Sequence, residues 1–162
     1  SCPIEHTYIS TILSHAYPEA LDGTRILDVF AGTGAVGLEA LSRGYRIALF
    51  VENGVEGRGL LWANIDALGL HGRARILRRD ATKLGSVNNI EPFDVLFADP
   101  PYGLGQGEKA FVAAHEGGWL VPGALAILEE RGDVMVSVAS VFKPLEQRTF
   151  GDTKMHFYRY EP

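Results

Sequence analysis

The sharpest chemical signal in this sequence is Asp99-Pro100-Pro101-Tyr102. An apolar run, FDVLFA, ends abruptly in two prolines, which cannot donate to a β ladder. The stiff bend leaves carbonyls with no intrachain N–H beside them. The Asp99 carboxylate and the Pro100 carbonyl can then converge as acceptors, with Tyr102 offering a flat face. Two acceptors beside an aromatic face suit a planar ring bearing an –NH2 group. Such an amine is a weak nucleophile, because its lone pair spreads into the ring. Accepting hydrogen bonds from both of its N–H groups favours a pyramidal nitrogen, aimed at an electrophile such as a sulfonium methyl. In-line displacement of that kind needs mainly positioning and no strong base. An amine on a nucleobase reaches such a bend only from an unpaired or flipped nucleotide. Read out of context, the same four residues are a Pro-Pro turn capped by an acid.

The second signal is the loop Asp28-Val29-Phe30-Ala31-Gly32-Thr33-Gly34-Ala35-Val36-Gly37. A strand that turns at once into a helix needs torsions that glycine adopts cheaply, and a missing side chain lets a ligand approach the backbone. The helix N-terminus beyond presents free N–H groups. Gly32-x-Gly34-x-x-Gly37 also matches the dinucleotide fingerprint, so a nicotinamide-dependent oxidoreductase is one reading. Asp28 tilts the choice. A carboxylate beside the loop repels a pyrophosphate and attracts an amino group. S-adenosylmethionine has an amino-acid head and a sulfonium, and no phosphate. The plainer role for Asp28 is a buried acid that caps N–H groups of the loop. Glu52, at the next strand end, can accept from both ribose hydroxyls. Asp80 can accept from the adenine amine, with the Ala81 N–H facing a ring nitrogen; its plainer role is to cap the turn that follows.

These groups need elements to hold them. Strands are expected at residues 25–30, 45–51, 73–78, 93–98 and 124–130, and two closing strands at 145–150 and 155–160. Helices are expected at 35–43, around Leu60, Leu61, Ile65 and Leu68, and at 109–116. Ile4, Tyr8, Ile12 and Ala16 mark an N-terminal helix within residues 1–21, appended to one domain that spans 1–162. Alternating strands and helices imply an α/β, doubly wound, mostly parallel Rossmann-like sheet, closed by an antiparallel pair. Its ligands bind at the carboxyl ends of the strands, where strand one lies at the switch in strand order.

The 162 residues suit one ordinary domain. An apolar fraction of 46% and a charged fraction of 22% exclude global disorder. The single cysteine, Cys2, excludes a disulfide scaffold and fits a reducing cytoplasm. No stretch approaches the about 20 apolar residues of a membrane helix, and no signal peptide is visible. The chain opens on Ser1 and is read as processed or trimmed at its front. A net charge of −5 argues against a nucleic-acid coat protein, though not against an enzyme with a local basic face.

RILDVFAGTGAVGLEALSRG, VEN and FDVLFADPPYG together resemble the bacterial 16S ribosomal RNA guanine-N2 methyltransferases, the family acting on guanine 966. The ending RTFGDTKMHFYR is similar to that family's closing strand pair, so the resemblance covers about residues 24–160. It implies a class I methyltransferase fold. It implies S-adenosylmethionine held by Asp28, Ala31, Gly32, Gly34, Glu52 and Asp80, and a guanine amine held by Asp99, Pro100, Pro101 and Tyr102. Phe30, Thr33, Asn53 and Ala81 complete the candidate cofactor contacts. The implied partner is 16S rRNA in the small ribosomal subunit or its assembly intermediate, met by a monomer with no membrane. The front departs from the family's basic segment, since no Lys or Arg precedes Arg25. A module that binds the cofactor without acting on RNA is therefore a further alternative.

Arg73, Arg75, Arg78, Arg79 and Lys83 form a basic cluster that either meets RNA phosphates or guards a sheet edge. His6, His15, His71, His115 and His156 have no metal-ligand spacing, and no metal is expected. Trp62 and Trp119 read as core, as do Phe30 and Phe97, with Phe30 also able to line the cofactor pocket.

Overall fold

The computed structural model describes residues 23–162. The expected N-terminal helix, with Cys2, His6 and His15, lies outside the described residues. The chain runs β1 (Arg25–Val29), α1 (Ala35–Ser42), β2 (Ile47–Val51), α2 (Val55–Ala67), β3 (Ala74–Leu77), a 3-10 turn (Ala81–Lys83), β4 (Phe93–Ala98), α3 (Gln106–Glu116), β5 (Leu120–Arg131), β6 (Phe142–Phe150) and β7 (Thr153–Tyr160). Among the described residues, all seven strands lie in one sheet, in the order β3-β2-β1-β4-β5-β7-β6. The first five are parallel; β7 runs antiparallel between β5 and β6. This is the expected doubly wound sheet with its closing antiparallel pair.

The central strands are apolar on both faces because both faces are covered. Ile26, Phe50, Val95 and Phe97 pack with Val36, Leu41, Leu61 and Ile65 of α1 and α2. Leu27, Val29, Leu96 and Ala98 pack on the other face with Phe111 and Ala114 of α3 and with Trp119. Trp119 is core as expected. Trp62 is not: it stands on the outer side of α2, 55% exposed, in edge contact with His71.

Boundaries moved where glycine and proline sit inside elements. β1 stops at Val29 because Phe30 turns to a left-handed φ of 58°, an uncommon conformation outside glycine. β5 begins at Leu120, and residues 121–124, with Pro122-Gly123 among them, lie opposite Asp94 alone before pairing resumes at Val95–Leu125. β6 opens at Phe142 and accommodates Pro144 through a bulge before Glu146, which an edge strand tolerates.

The strand order reverses between β1 and β4. Val29 pairs with Ala98, so the glycine loop and the Asp-Pro-Pro-Tyr bend leave the same end of adjacent strands. The two chemical signals therefore meet.

Candidate active site

Two adjoining hollows open at that end. One, of about 290 Å3, is lined by Asp28, Phe30, Ala31, Gly32, Thr33 and Asp99 among others. The second, of about 690 Å3, is lined by Phe30, Glu52, Asn53, Asp80, Ala81, Asp99, Pro100, Pro101 and Tyr102, with Val51, Arg79 and Gln106. They share Phe30 and Asp99 and form one cleft. Every sequence-predicted site residue except Gly34 lines it. A roomier hollow of about 860 Å3 lies between residues 132–140 and the β6–β7 hairpin. It includes none of the predicted residues and sits away from the strand-order switch, so the chemistry belongs to the smaller cleft.

Gly34 is required for another reason. It starts α1 at φ 79°, and a Cβ there would lie 2.2 Å from Leu61 Cδ1 and 3.2 Å from Phe50 Cε1. Its missing side chain makes room for Leu61 of α2 and Phe50 of the sheet. Gly32, with φ 56° and open space where a Cβ would be, is the glycine that borders the cleft.

Asp28 is 2% exposed, and its Oδ2 accepts the Gly37 N–H at 3.0 Å. The capping role is thus real, on a residue that also faces the cleft. Burial pushes its carboxyl well above the ordinary 3.8; the Gly37 N–H opposes this, and the charges of Asp99 and Glu52 add to the rise. Because the folded value is raised, this group favours folding at acid pH, and that contribution is lost as pH rises from 3.8 through the folded value. Asp28→Asn keeps an acceptor for Gly37 and removes the buried charge. Thermal melts should show the variant gaining on the parent as pH rises towards neutrality; a constant difference across pH would remove Asp28 as its source.

Glu52 straddles the rim. Its Oε1 accepts the Gly32 N–H at 2.7 Å and its Oε2 the Gly54 N–H at 2.9 Å. Each oxygen retains a lone pair for a further donor. Gly57 was missed in the sequence: a Cβ there would stand 3.1 Å from the Glu52 carboxyl. The signal was the spacing Glu52-x-Gly54-x-x-Gly57. Asp80 also does the plainer thing, capping the 3-10 turn through Thr82 N and Thr82 Oγ1 at 2.9 and 2.7 Å. Those two bonds hold its carboxyl below the ordinary range, and both fall on Oδ1.

The cleft is thus ringed by Asp28, Glu52, Asp80 and Asp99. Among the described residues its one lining cation is Arg79, whose Nη1 donates to the Leu84 carbonyl at 2.6 Å. Such a wall suits a ligand that brings positive charge and repels a pyrophosphate. The basic cluster divides accordingly. Arg73 ties the carbonyls of Leu41, Tyr45 and Arg46 at the end of α1. Arg75, Arg78 and Lys83 are exposed, along or just beyond the β3 edge.

A family model described as Conserved hypothetical protein 95 matches residues 9–159. The chain belongs to this family. Its curated relatives include ribosomal RNA small subunit methyltransferase D of Haemophilus influenzae, 30% identical over 135 residues, covering 82% of this chain and 70% of that one. The protein of the same name from Escherichia coli is 33% identical over 119 residues, which is 74% of this chain but only 59% of the relative. Among solved structures, HI0767 of Haemophilus influenzae, described as a candidate methylase, superposes with a TM-score of 0.84 at 26% identity over 97% of this chain and 99% of that chain. The Rossmann-like fold expected from the sequence is thus the fold of these class I methyltransferase structures.

Within this family fold, sequence reading overlooked the buried acids behind the bend. Glu129 and Glu130 lie just before Arg131 at the end of β5, and both are almost wholly buried. Their contacts to Tyr102 and Gly103 span 27 residues of chain, and no local pattern announces them. No helix among the described residues is long and apolar enough to cross a membrane.

Proposed function

We propose that this protein transfers a methyl group from S-adenosylmethionine to the exocyclic N2 amine of a guanine in 16S ribosomal RNA of the small subunit or its assembly intermediate. The observation that supports it most is the cleft itself: four carboxylates around a glycine loop, with Asp-Pro-Pro-Tyr on its far wall. The named relatives support the rRNA substrate. The acidic lining fits an ammonium and a sulfonium, and disfavours the nicotinamide dinucleotide that the bare glycine spacing also allows.

In this reading Asp28 draws the amino group of the cofactor, and Glu52 accepts from the ribose hydroxyls. Asp80 and the Ala81 N–H read the adenine edge. When bound, the cofactor supplies an electrophilic methyl. Asp99 and the Pro100 carbonyl accept the two N–H groups of the guanine amine, while Tyr102 stacks on the base. The amine nitrogen sheds one proton as its new bond forms, and Asp99 is the acceptor in reach. The target guanine enters unpaired or flipped.

Two measurements test this. Unmodified small subunits incubated with methyl-labelled cofactor should acquire label on one guanine N2, located by mapping; label on another base or none would reject the substrate. Calorimetry should show S-adenosylhomocysteine binding more tightly than NADH, with affinity rising as Asp28 ionises at higher pH. Tighter NADH would reject the cofactor.

A further inference from the structure

Tyr102 is held from behind. Its Oη lies 3.1 Å from Glu129 Oε2, to which it donates, and 3.1 Å from Thr153 Oγ1. The next residue is pinned as well: the Gly103 N–H donates to Glu130 Oε1 at 3.1 Å, and that oxygen also takes the Arg131 N–H at 2.8 Å. Glu129 is 0% and Glu130 1% exposed. Adjacent residues of a strand point to opposite faces, yet both acids reach the same bend. Thr153 belongs to β7, where it pairs with Arg131 of β5. The turn that follows Asp99 is therefore fastened to two strands at once.

Burying a carboxylate is costly unless donors compensate it, so a fully buried acid at a site wall calls for a role. Here one donor to it is the phenol of a residue that is itself 36% exposed and lines the cleft. Two partners at the far end of the ring fix the direction of its long axis, while the residue stays partly exposed at the cleft. We infer that Glu129 is a positioning residue, fixing where the Tyr102 ring projects into the cleft beside the target base, with Thr153 holding the same hydroxyl from β7. The inference rests on the proposed function, since it assigns Tyr102 a base to stack on. The phenol stays a donor at any working pH: burial above all pushes it up to about 12.

A double-mutant cycle separates this role from simple core filling. The variants are Tyr102→Phe, Glu129→Ala, their combination, and Glu129→Gln, which keeps an acceptor for the hydroxyl. Single-turnover transfer to unmodified small subunits is measured beside urea unfolding and S-adenosylhomocysteine affinity. Tyr102→Phe and Glu129→Ala should each slow transfer by about tenfold, the scale of one lost hydrogen bond. The double variant should be no slower than either, Glu129→Gln should recover most of the rate, and cofactor affinity should not change. Losses that multiply to about a hundredfold in the double variant, or a Glu129→Gln enzyme as slow as Glu129→Ala, would overturn the inference. Should Glu129→Ala fail to fold, Thr153→Val takes its place, and its rate loss must vanish in the Tyr102→Phe background. Parent protein that transfers no methyl to any RNA sinks the proposed function itself. An active parent with independent losses sinks only the positioning role.

Discussion

Replacing Asp99 by alanine should slow methyl transfer by about 10²–10³-fold, the scale set by removing one preorganised hydrogen-bonding group from a reacting centre. Cofactor affinity should change little by comparison, because Asp99 sits where the two hollows join and the glycine loop, Asp28 and Glu52 remain in place. Removing its charge also relieves one of the influences that raise Asp28, so binding of S-adenosylhomocysteine should extend to slightly lower pH. Single-turnover rates with saturating cofactor, beside calorimetric affinities, make the comparison. A variant that transfers at the parental rate would leave the amine without its acceptor, and the bend would revert to a capped turn.

The second large effect falls on stability. Gly34→Val places a β-branched residue at φ 79°, a region that non-glycine residues pay to enter, with its Cβ built 2.2 Å from Leu61 Cδ1. Backbone strain and overpacking together should cost about 3–5 kcal/mol, a large share of the roughly 5–15 kcal/mol that holds a domain folded. Urea unfolding should show a sharply lowered midpoint, and excess S-adenosylhomocysteine should restore part of it by mass action. A variant that unfolds like the parent yet cannot bind the cofactor would return Gly34 to the role its motif position suggested, as a glycine the ligand approaches.

That contrast shows what the amino-acid pattern could and could not reveal. β1, β2 and β4 were legible because they are mostly apolar runs, interrupted inside only by Asp28 and Asp94, as strands buried on both faces tend to be. Their adjacency followed from the alternation of strands with helices, and with it the meeting of Asp28 and Asp99. The first turn of α2 was not legible: two glycines and an exposed Val55 hide its period. Pro122-Gly123 disguised the start of β5 in the same way. Trp62 misled because size argues for burial, while its place on α2 turns it outward. The packing reason for Gly34 was not legible, since a motif records that a side chain is missing and not what fills the space. Glu129 and Glu130 were passed over as the charged end of a strand, because their partners are brought to them only by the sheet.

The shared wall at Phe30 sets a shape requirement as well as a charge requirement. Phe30, at a left-handed φ of 58°, lines both hollows, so a molecule that fills the two must pass this residue. Inhibitor selectivity at this cleft should then depend on the fold of the bound molecule as much as on its functional groups.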